Sequence, residues 1–183
     1  MRKYGYFLGI AFILFVFPLV STAKLSSPHS TPQSPAFKPE SLREKQSKNK
    51  SVQTVSFTLL KGGVENLSKY HGKILVVNFF ATWCPPCMKE APELVAFQKK
   101  WASKGVQVVA IAMDDAKQDV RGYVSRTKPC FPVAYFDTKS ESIWGSIAAI
   151  PVTFIIDRNQ HIVSRLDGYQ SQSLLEEAIK PYL

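Results

Sequence analysis

Residues 74–87 of the 183-residue chain read ILVVNFFATWCPPC. The first half, Ile74–Phe80, is a mostly apolar, β-rich run, which is typical of a strand covered on both faces. Cys84 and Cys87 follow where this strand gives way to a predicted helix, which runs from about Pro85 to Ser103 with apolar residues at near-helical spacing. The segment therefore predicts a buried strand that leads into a pair of cysteines in the first turn of a helix.

The spacing of the two cysteines favours reversible disulfide chemistry. Two residues separate them, so both side chains fall within one helical turn and are close enough to form a disulfide. Cys84 lies at the predicted helix N-terminus, where the helix dipole and unpaired N–H groups favour a thiolate. Cys87 lies one turn inside, where we expect it to be more buried and protonated. We therefore predict that Cys84 is an accessible attacking nucleophile and that Cys87 resolves the mixed disulfide.

The residues around the cysteines indicate how strongly the thiolate is stabilised. Pro85 and Pro86 have no backbone N–H, so neither can donate a hydrogen bond to the Cys84 sulfur. No histidine lies between the cysteines to add positive charge. We therefore expect a moderately lowered pKa for Cys84 and a less oxidising couple, which favours a reductant or general exchanger over a strong oxidant. Trp83 is expected to shield the pair, and ordinary core filling is the alternative interpretation.

The basic charge of the chain is concentrated near its N-terminus. The formal net charge is +9, of which residues 1–53 carry +6 and residues 54–183 carry +3. A nucleic-acid-binding domain would place this charge on the folded part, so we predict no nucleic-acid partner. A basic arm of this kind is suited to lie near an anionic membrane surface.

The N-terminal segment is typical of a targeting sequence, and the chain divides into three parts. Residues 1–23 have a basic start and a long apolar stretch that ends in small residues, which predicts a signal peptide or an uncut membrane anchor through residues 4–23. Either would export the rest of the chain, to the periplasm or another extracytoplasmic space. Residues 24–53 are rich in Ser, Pro, Lys and Gln and predict a disordered linker. Residues 54–183 form the predicted domain.

The remaining elements predict a mixed α/β sheet with helices on both faces. The expected strands are 55–59, 106–113, 129–136, 152–157 and 161–167, and the last two form a hairpin across residues 158–160. A helix is expected to open at Asp114-Asp115, a short one to cover residues 140–146, and a last one to cover residues 171–181, with Leu174, Leu175 and Ile179 on one apolar face.

Two motifs resemble one branch of the thioredoxin superfamily. VVNFFATWCPPC at 76–87 and AIPVTFIID at 149–157 resemble the two signatures of the TlpA/ResA-like thioredoxins, which are tethered or periplasmic proteins. The resemblance covers about residues 54–183. It implies a thioredoxin fold, an enzyme that exchanges disulfides with protein substrates, and no cofactor beyond the redox-active Cys84–Cys87 disulfide. It also implies a membrane thiol-transfer protein as electron donor, and we expect a monomer.

The resemblance also assigns roles to four residues outside the cysteine motif. Pro151 matches the family's cis-proline, which faces the cysteines, and the backbone of Ile150 would pair with the extended chain of a substrate. Asn78 replaces the buried aspartate of cytosolic thioredoxins and cannot titrate. Glu90 matches an acid that this branch often carries after the second cysteine, where it could accept a proton. The alternatives are an ordinary trans proline at Pro151 and a solvated surface glutamate at Glu90.

Several other functions fit the sequence less well. Cytochrome c maturation reductases of this branch carry an acid directly after the cis-proline, whereas this chain has Val152. A disulfide oxidant or isomerase is the alternative direction of the same chemistry. A redox-inert copper chaperone is the rival from another class, although only Met88 among the methionines lies near the cysteines. Cys130 shows no ligand spacing with the histidines, so we predict no metal site and a buried structural role for this thiol, with a regulatory or dimer-forming thiol as the alternative.

Overall fold

The computed structural model describes residues 51–114 and 116–183. The predicted targeting segment at 1–23 and the predicted linker up to residue 50 lie outside these residues. The last linker residues do not behave as predicted, because Val52 is fully buried and its N–H donates to the carbonyl of Gln160 at 2.9 Å. The packed domain therefore includes Val52, two residues before the predicted boundary at Thr54.

One mixed sheet carries the described strands. The strands are β1 Ser56–Leu59, β2 Val64–Asn66, β3 Ile74–Phe80, β4 Val106–Ala112, β5 Val133–Tyr135, β6 Val152–Ile156 and β7 Ile162–Asp167. Their order across the sheet is β2-β1-β5-β4-β3-β6-β7. β3, β4 and β5 are parallel, whereas β6 is antiparallel to β3 and to β7. The central position of β3 explains why all seven of its residues are buried.

Helices cover both faces of the sheet, as predicted. The helices are α1 Pro85–Trp101, α2 Lys117–Thr127, α3 Glu141–Trp144 and α4 Gln172–Ile179. One apolar cluster joins α1, α2 and α4 to alternate residues of β3 such as Val76 and Phe80. A second cluster packs Trp144 of α3 against the opposite face, where it meets Phe79 and Phe154. Alternate side chains of β3 therefore point into two separate cores. In the residues that the structure describes, no helix combines the length and the apolar character needed to cross a bilayer.

Three predictions about elements need correction, and one strand was missed. β2 was not predicted, because three residues directly after Gly62-Gly63 carry too little periodicity. β5 is shorter than the predicted strand at 129–136 and begins at Val133. Leu175 and Ile179 of α4 are fully buried, but Leu174 is 51% exposed and does not share their face. α2 begins at Lys117 and not at Asp114, because the backbone of Ala116 is extended (φ −94°, ψ 111°), and the Asp114 carboxylate bonds to Thr82 instead of capping the helix.

Candidate active site

The two cysteines lie where β3 leads into α1, at the edge of the sheet where the parallel strands end. Cys84 is the N-cap residue of α1, with an extended backbone (φ −94°, ψ 108°), and its sulfur accepts a hydrogen bond from the N–H of Cys87 at 3.3 Å. Pro85 and Pro86 occupy the first helical positions, where the fixed φ of proline fits and no N–H is needed. The two cysteines form a disulfide with their Cα atoms 5.3 Å apart. The sequence thus builds a disulfide directly onto a helix N-terminus.

Both cysteines are buried in this disulfide form. Cys84 is 4% exposed and Cys87 is 2% exposed, so the expected contrast between an accessible outer and a buried inner cysteine is not present. The exposed surface next to them belongs to Trp83, Pro85 and Pro86. Trp83 is 71% exposed, which excludes the core-filling interpretation of this residue. The three residues form a rim beside the disulfide.

The segment before β6 lies against the outer sulfur. The Ile150–Pro151 peptide bond is cis. The carbonyl oxygen of Ile150 is 3.7 Å from the Cys84 sulfur, which is a contact and not a hydrogen bond, because a disulfide sulfur has no hydrogen to donate. The second sequence motif is therefore brought to the first, although 66 positions separate Ile150 from Cys84.

A buried polar cluster lies behind the disulfide, between α1 and the sheet. Glu90 is fully buried, which rules out the surface interpretation, and Asn78 is 1% exposed. The Asn78 amide donates to Glu90 Oε2 at 3.0 Å and to Thr153 Oγ1 at 3.0 Å. The backbone N–H of Gln170 donates to Glu90 Oε1 at 3.0 Å. Glu90 and Cys87 are three residues apart on α1, so both carry their side chains on the same helix face.

Burial decides the protonation of Glu90. It raises the pKa of this carboxyl to about 7, against a usual value of 4.5, while the hydrogen bonds from Gln170 and Asn78 oppose the shift. Removing a carboxylate from water disfavours its charged form, and two N–H donors compensate only in part. Glu90 can therefore both hold and release a proton near neutral pH.

Some residues at the site were not found from the sequence. The Asp114 carboxylate accepts hydrogen bonds from the backbone N–H of Thr82, at 2.9 and 3.1 Å, and from its hydroxyl. Asp114 thereby fixes the turn that carries Trp83 and Cys84. Thr153 bonds to Asn78 and Gln170 bonds to Glu90, across 75 and 80 positions of the chain. In the sequence, a polar threonine inside the apolar run 152–156 indicates that Thr153 needs a hydrogen-bond partner. It does not indicate that this partner is Asn78.

Cys130 is not where the sequence predicted it. It is exposed and precedes β5, so the prediction of a buried structural thiol is wrong. Its sulfur lies 3.9 Å from the carbonyl of Val95. The cause is the late start of β5, which leaves residues 128–132 outside the sheet. Among the described residues, no group of three or more His, Cys, Asp or Glu side chains is arranged to hold a metal ion.

The chain is similar in sequence and in fold to several known proteins. The model of the redoxin family matches residues 46–181. Thiol-disulfide oxidoreductase ResA of Bacillus cereus is 33% identical over 142 residues, which are 76% of this chain and 81% of the relative. A solved thiol:disulfide interchange protein of the thioredoxin family from Chlorobium tepidum TLS is 29% identical with a TM-score of 0.68, covering 75% of this chain and 98% of that chain. A secreted thiol-disulfide isomerase from Corynebacterium glutamicum, 18% identical, shares the fold with a TM-score of 0.66, covering 72% and 84% of the two chains.

Replacing the buried carboxyl should change how stability depends on pH. In the folded protein the pKa of Glu90 is about 7 against a usual 4.5, so between these values the folded state holds more protons than the unfolded state. The stability of the wild type should therefore fall as pH rises through this window, by an amount on the order of 3 kcal/mol. The stability of Glu90→Gln should not decrease in this way. The measurement is denaturant unfolding of the oxidised protein at pH values between the two pKa values of Glu90.

The matched control for this measurement is Glu177→Gln, which removes a glutamate that is exposed on α4. Its stability should follow the wild-type pH dependence. Parallel curves for Glu90→Gln and the wild type would contradict the raised pKa of Glu90.

Proposed function

The chain belongs to the redoxin family of thioredoxin-fold thiol–disulfide oxidoreductases, and from this membership we propose that it is an exported dithiol reductant of protein disulfides. The observation that carries the proposal is the disulfide at the N-cap of α1, with the carbonyl of Ile150 against its outer sulfur. Cys84 and Cys87 are the proposed catalytic residues. Electrons reach a substrate through them in two exchange steps.

In the first step, Cys84 acts as the nucleophile. The helix N-terminus and the N–H of Cys87, 3.3 Å from the Cys84 sulfur in the oxidised form, favour a negative charge on that sulfur. The Cys84 thiolate attacks one sulfur of the substrate disulfide. A Cys84–substrate disulfide forms, the substrate S–S bond breaks, and the other substrate sulfur leaves as a thiolate.

In the second step, Cys87 resolves the mixed disulfide. Its thiol gives its proton to Glu90, directly or through water, and the resulting thiolate attacks the Cys84 sulfur. The Cys84–Cys87 disulfide forms and the second substrate sulfur leaves, so the substrate gains two electrons and its thiolates take protons from Glu90 and the solvent. The buried position of Glu90 and its pKa of about 7 support this role.

The rim beside the disulfide supports a protein substrate. Trp83, Pro85 and Pro86 are exposed next to buried sulfurs, so they offer apolar contact area to an incoming chain. The backbone of Ile150, beside the cis-Pro151 bond, would pair with an extended segment of the substrate near the attacked sulfur. We propose these five residues as the substrate-binding shell.

Serine substitutions should separate the roles of the cysteines. Cys84→Ser should abolish the reduction of insulin by dithiothreitol that the protein catalyses, because no nucleophile remains. Cys87→Ser should instead accumulate a mixed disulfide with the substrate, visible on non-reducing gels, because the resolving thiol is gone. The control is Cys130→Ser, which removes the exposed third thiol and should leave the rate unchanged.

Two results would contradict this assignment. One is full insulin reduction by Cys84→Ser. The other is an inactive wild type that binds Cu(I) tightly, which would support a copper chaperone in place of an enzyme.

The modest stabilisation of the Cys84 thiolate supports the proposed direction of electron flow, from the protein to its substrate. Pro85 and Pro86 donate no hydrogen bond to the sulfur, and Cys87 supplies one N–H. Titration of the pair in glutathione buffers should therefore give a potential nearer to about −270 mV, typical of thioredoxin, than to about −120 mV, typical of a strong oxidant. A value at the oxidising end would show that the protein accepts electrons from its substrates instead.

A reductant outside the cytoplasm needs electrons from inside. Export is supported by the charge-free apolar stretch between Lys3 and Lys24. A membrane thiol-transfer protein is the proposed donor, and it would reduce the Cys84–Cys87 disulfide after each turnover.

The exposed Cys130 provides a test of export. In a Cys84→Ser/Cys87→Ser background, Cys130 is the one remaining thiol, and a membrane-impermeant maleimide should label it in intact bacterial spheroplasts or their supernatant. Adding Leu14→Arg, which interrupts the apolar stretch, should retain the protein inside and prevent labelling until lysis. The mass of the labelled protein distinguishes cleavage near Ala23 from an uncut anchor. Labelling of the background protein only after lysis would contradict export.

A further inference from the structure

Thr153 occupies a position next to the proposed proton acceptor that the reaction described above does not use. Thr153 and Asn78 are direct partners in the antiparallel ladder of β6 and β3. Side chains directly opposite each other in such a ladder point to the same face and lie close together. That face is the one covered by α1, since Asn78 contacts Glu90 of α1. Thr153 is fully buried, so its hydroxyl meets protein groups and not bulk solvent.

The hydroxyl of Thr153 bonds to the amide that contacts Glu90. The Asn78 amide has two N–H donors on one side and one carbonyl acceptor on the other. One N–H donates to Glu90 Oε2 and the other to Thr153 Oγ1, both at 3.0 Å. With Thr153 as an acceptor, the amide satisfies both donors only when its nitrogen side faces Glu90. The threonine hydroxyl thus satisfies the second N–H of the amide in this orientation, which without it would be a buried, unpaired donor.

The orientation of this amide matters for the carboxyl of Glu90. Both carboxyl oxygens face N–H donors, from Asn78 and from the backbone of Gln170. These donors stabilise the carboxylate against the effect of burial. A reversed amide would present its carbonyl oxygen, which repels a carboxylate and accepts a hydrogen bond from a protonated acid. Reversal would thus move Glu90 toward its protonated form.

We propose that Thr153 is a positioning residue, whose hydroxyl holds the Asn78 amide with its N–H groups toward Glu90 and so sets the proton affinity of that carboxyl. The inference rests on the proposed role of Glu90 as acceptor of the Cys87 proton. Thr153 itself touches neither the sulfurs nor the substrate in this mechanism.

The test compares variants of the full chain that lack or keep the hydroxyl. Thr153→Val has the same shape without the hydroxyl, and Thr153→Ser keeps it. The titration of Glu90 is followed in the oxidised protein by the infrared band of its protonated carboxyl, which is assigned by its absence in Glu90→Gln. Thr153→Val should titrate about one pH unit higher than the wild type, a shift equivalent to one lost hydrogen bond. Thr153→Ser should titrate like the wild type.

A purely structural role for Thr153 predicts a different result. Removing the hydroxyl would then change the stability and leave the titration midpoint in place. An unchanged midpoint in Thr153→Val, or an equal shift in Thr153→Ser, would overturn the proposal. Thr153→Ala is a second variant without the hydroxyl, and it should show the same upward shift if the valine variant folds poorly.

The pH profile of disulfide reduction separates this proposal from the function on which it rests. If Glu90 accepts the Cys87 proton, the profile of Thr153→Val should shift in the same direction as the titration, with KM unchanged. If Glu90→Gln reduces insulin at the wild-type rate across the pH range, the proposed proton transfer fails. The infrared comparison would then still decide whether Thr153 sets the titration of Glu90.

Discussion

The antiparallel register of β3 and β6 is the constraint on which the rest of the site depends. It sets Asn78 opposite Thr153 and Phe79 opposite Val152. The cis-Pro151 bond therefore falls just beyond the end of β3, level with the turn that leads to Cys84. A slip of one residue would turn every side chain of β6 to the other face and remove Thr153 from the Glu90 side. Every residue of both strands is buried and alternate side chains enter different cores, so a slip would exchange the residues of the two cores.

The surroundings of the Cys84 thiol and of the Glu90 carboxyl shift their proton equilibria in opposite directions. Cys84 lies at a helix N-terminus and accepts an N–H bond, so its charged form is favoured. Glu90 is buried without an ion-pair partner among the described residues, so its neutral form is favoured. Hydrogen bonds from two N–H donors limit the rise of its pKa, which is about 7. A thiol that loses its proton easily and a carboxyl that takes one up are the two requirements of dithiol exchange. Environments that push pKa values apart are the usual way in which a protein separates an acid from a base.

Much of the local structure could be predicted from the sequence. The continuous apolar run over Ile74–Phe80 indicated a strand covered on both faces, and the structure confirms it. The proline pair after Cys84 correctly placed the start of α1. The predictions failed where a side chain bonds outside its own element. Asp114 was expected to open a helix, but it bonds to Thr82, which is 32 positions away. Cys130 was expected in a strand, but residues 128–132 lie before it.

The sequence alone determined the disulfide motif, the helix that carries it and the strands of the mixed sheet. These depend on spacing, periodicity and backbone preferences within a few residues. Only the tertiary structure decided that Glu90 is buried and that Thr153 lies within reach of Asn78. The Asn78–Thr153 and Glu90–Gln170 bonds join residues 75 and 80 positions apart. Burial and hydrogen-bond partners of this kind depend on how strands and helices pack, and the proton affinity of a carboxyl depends on both.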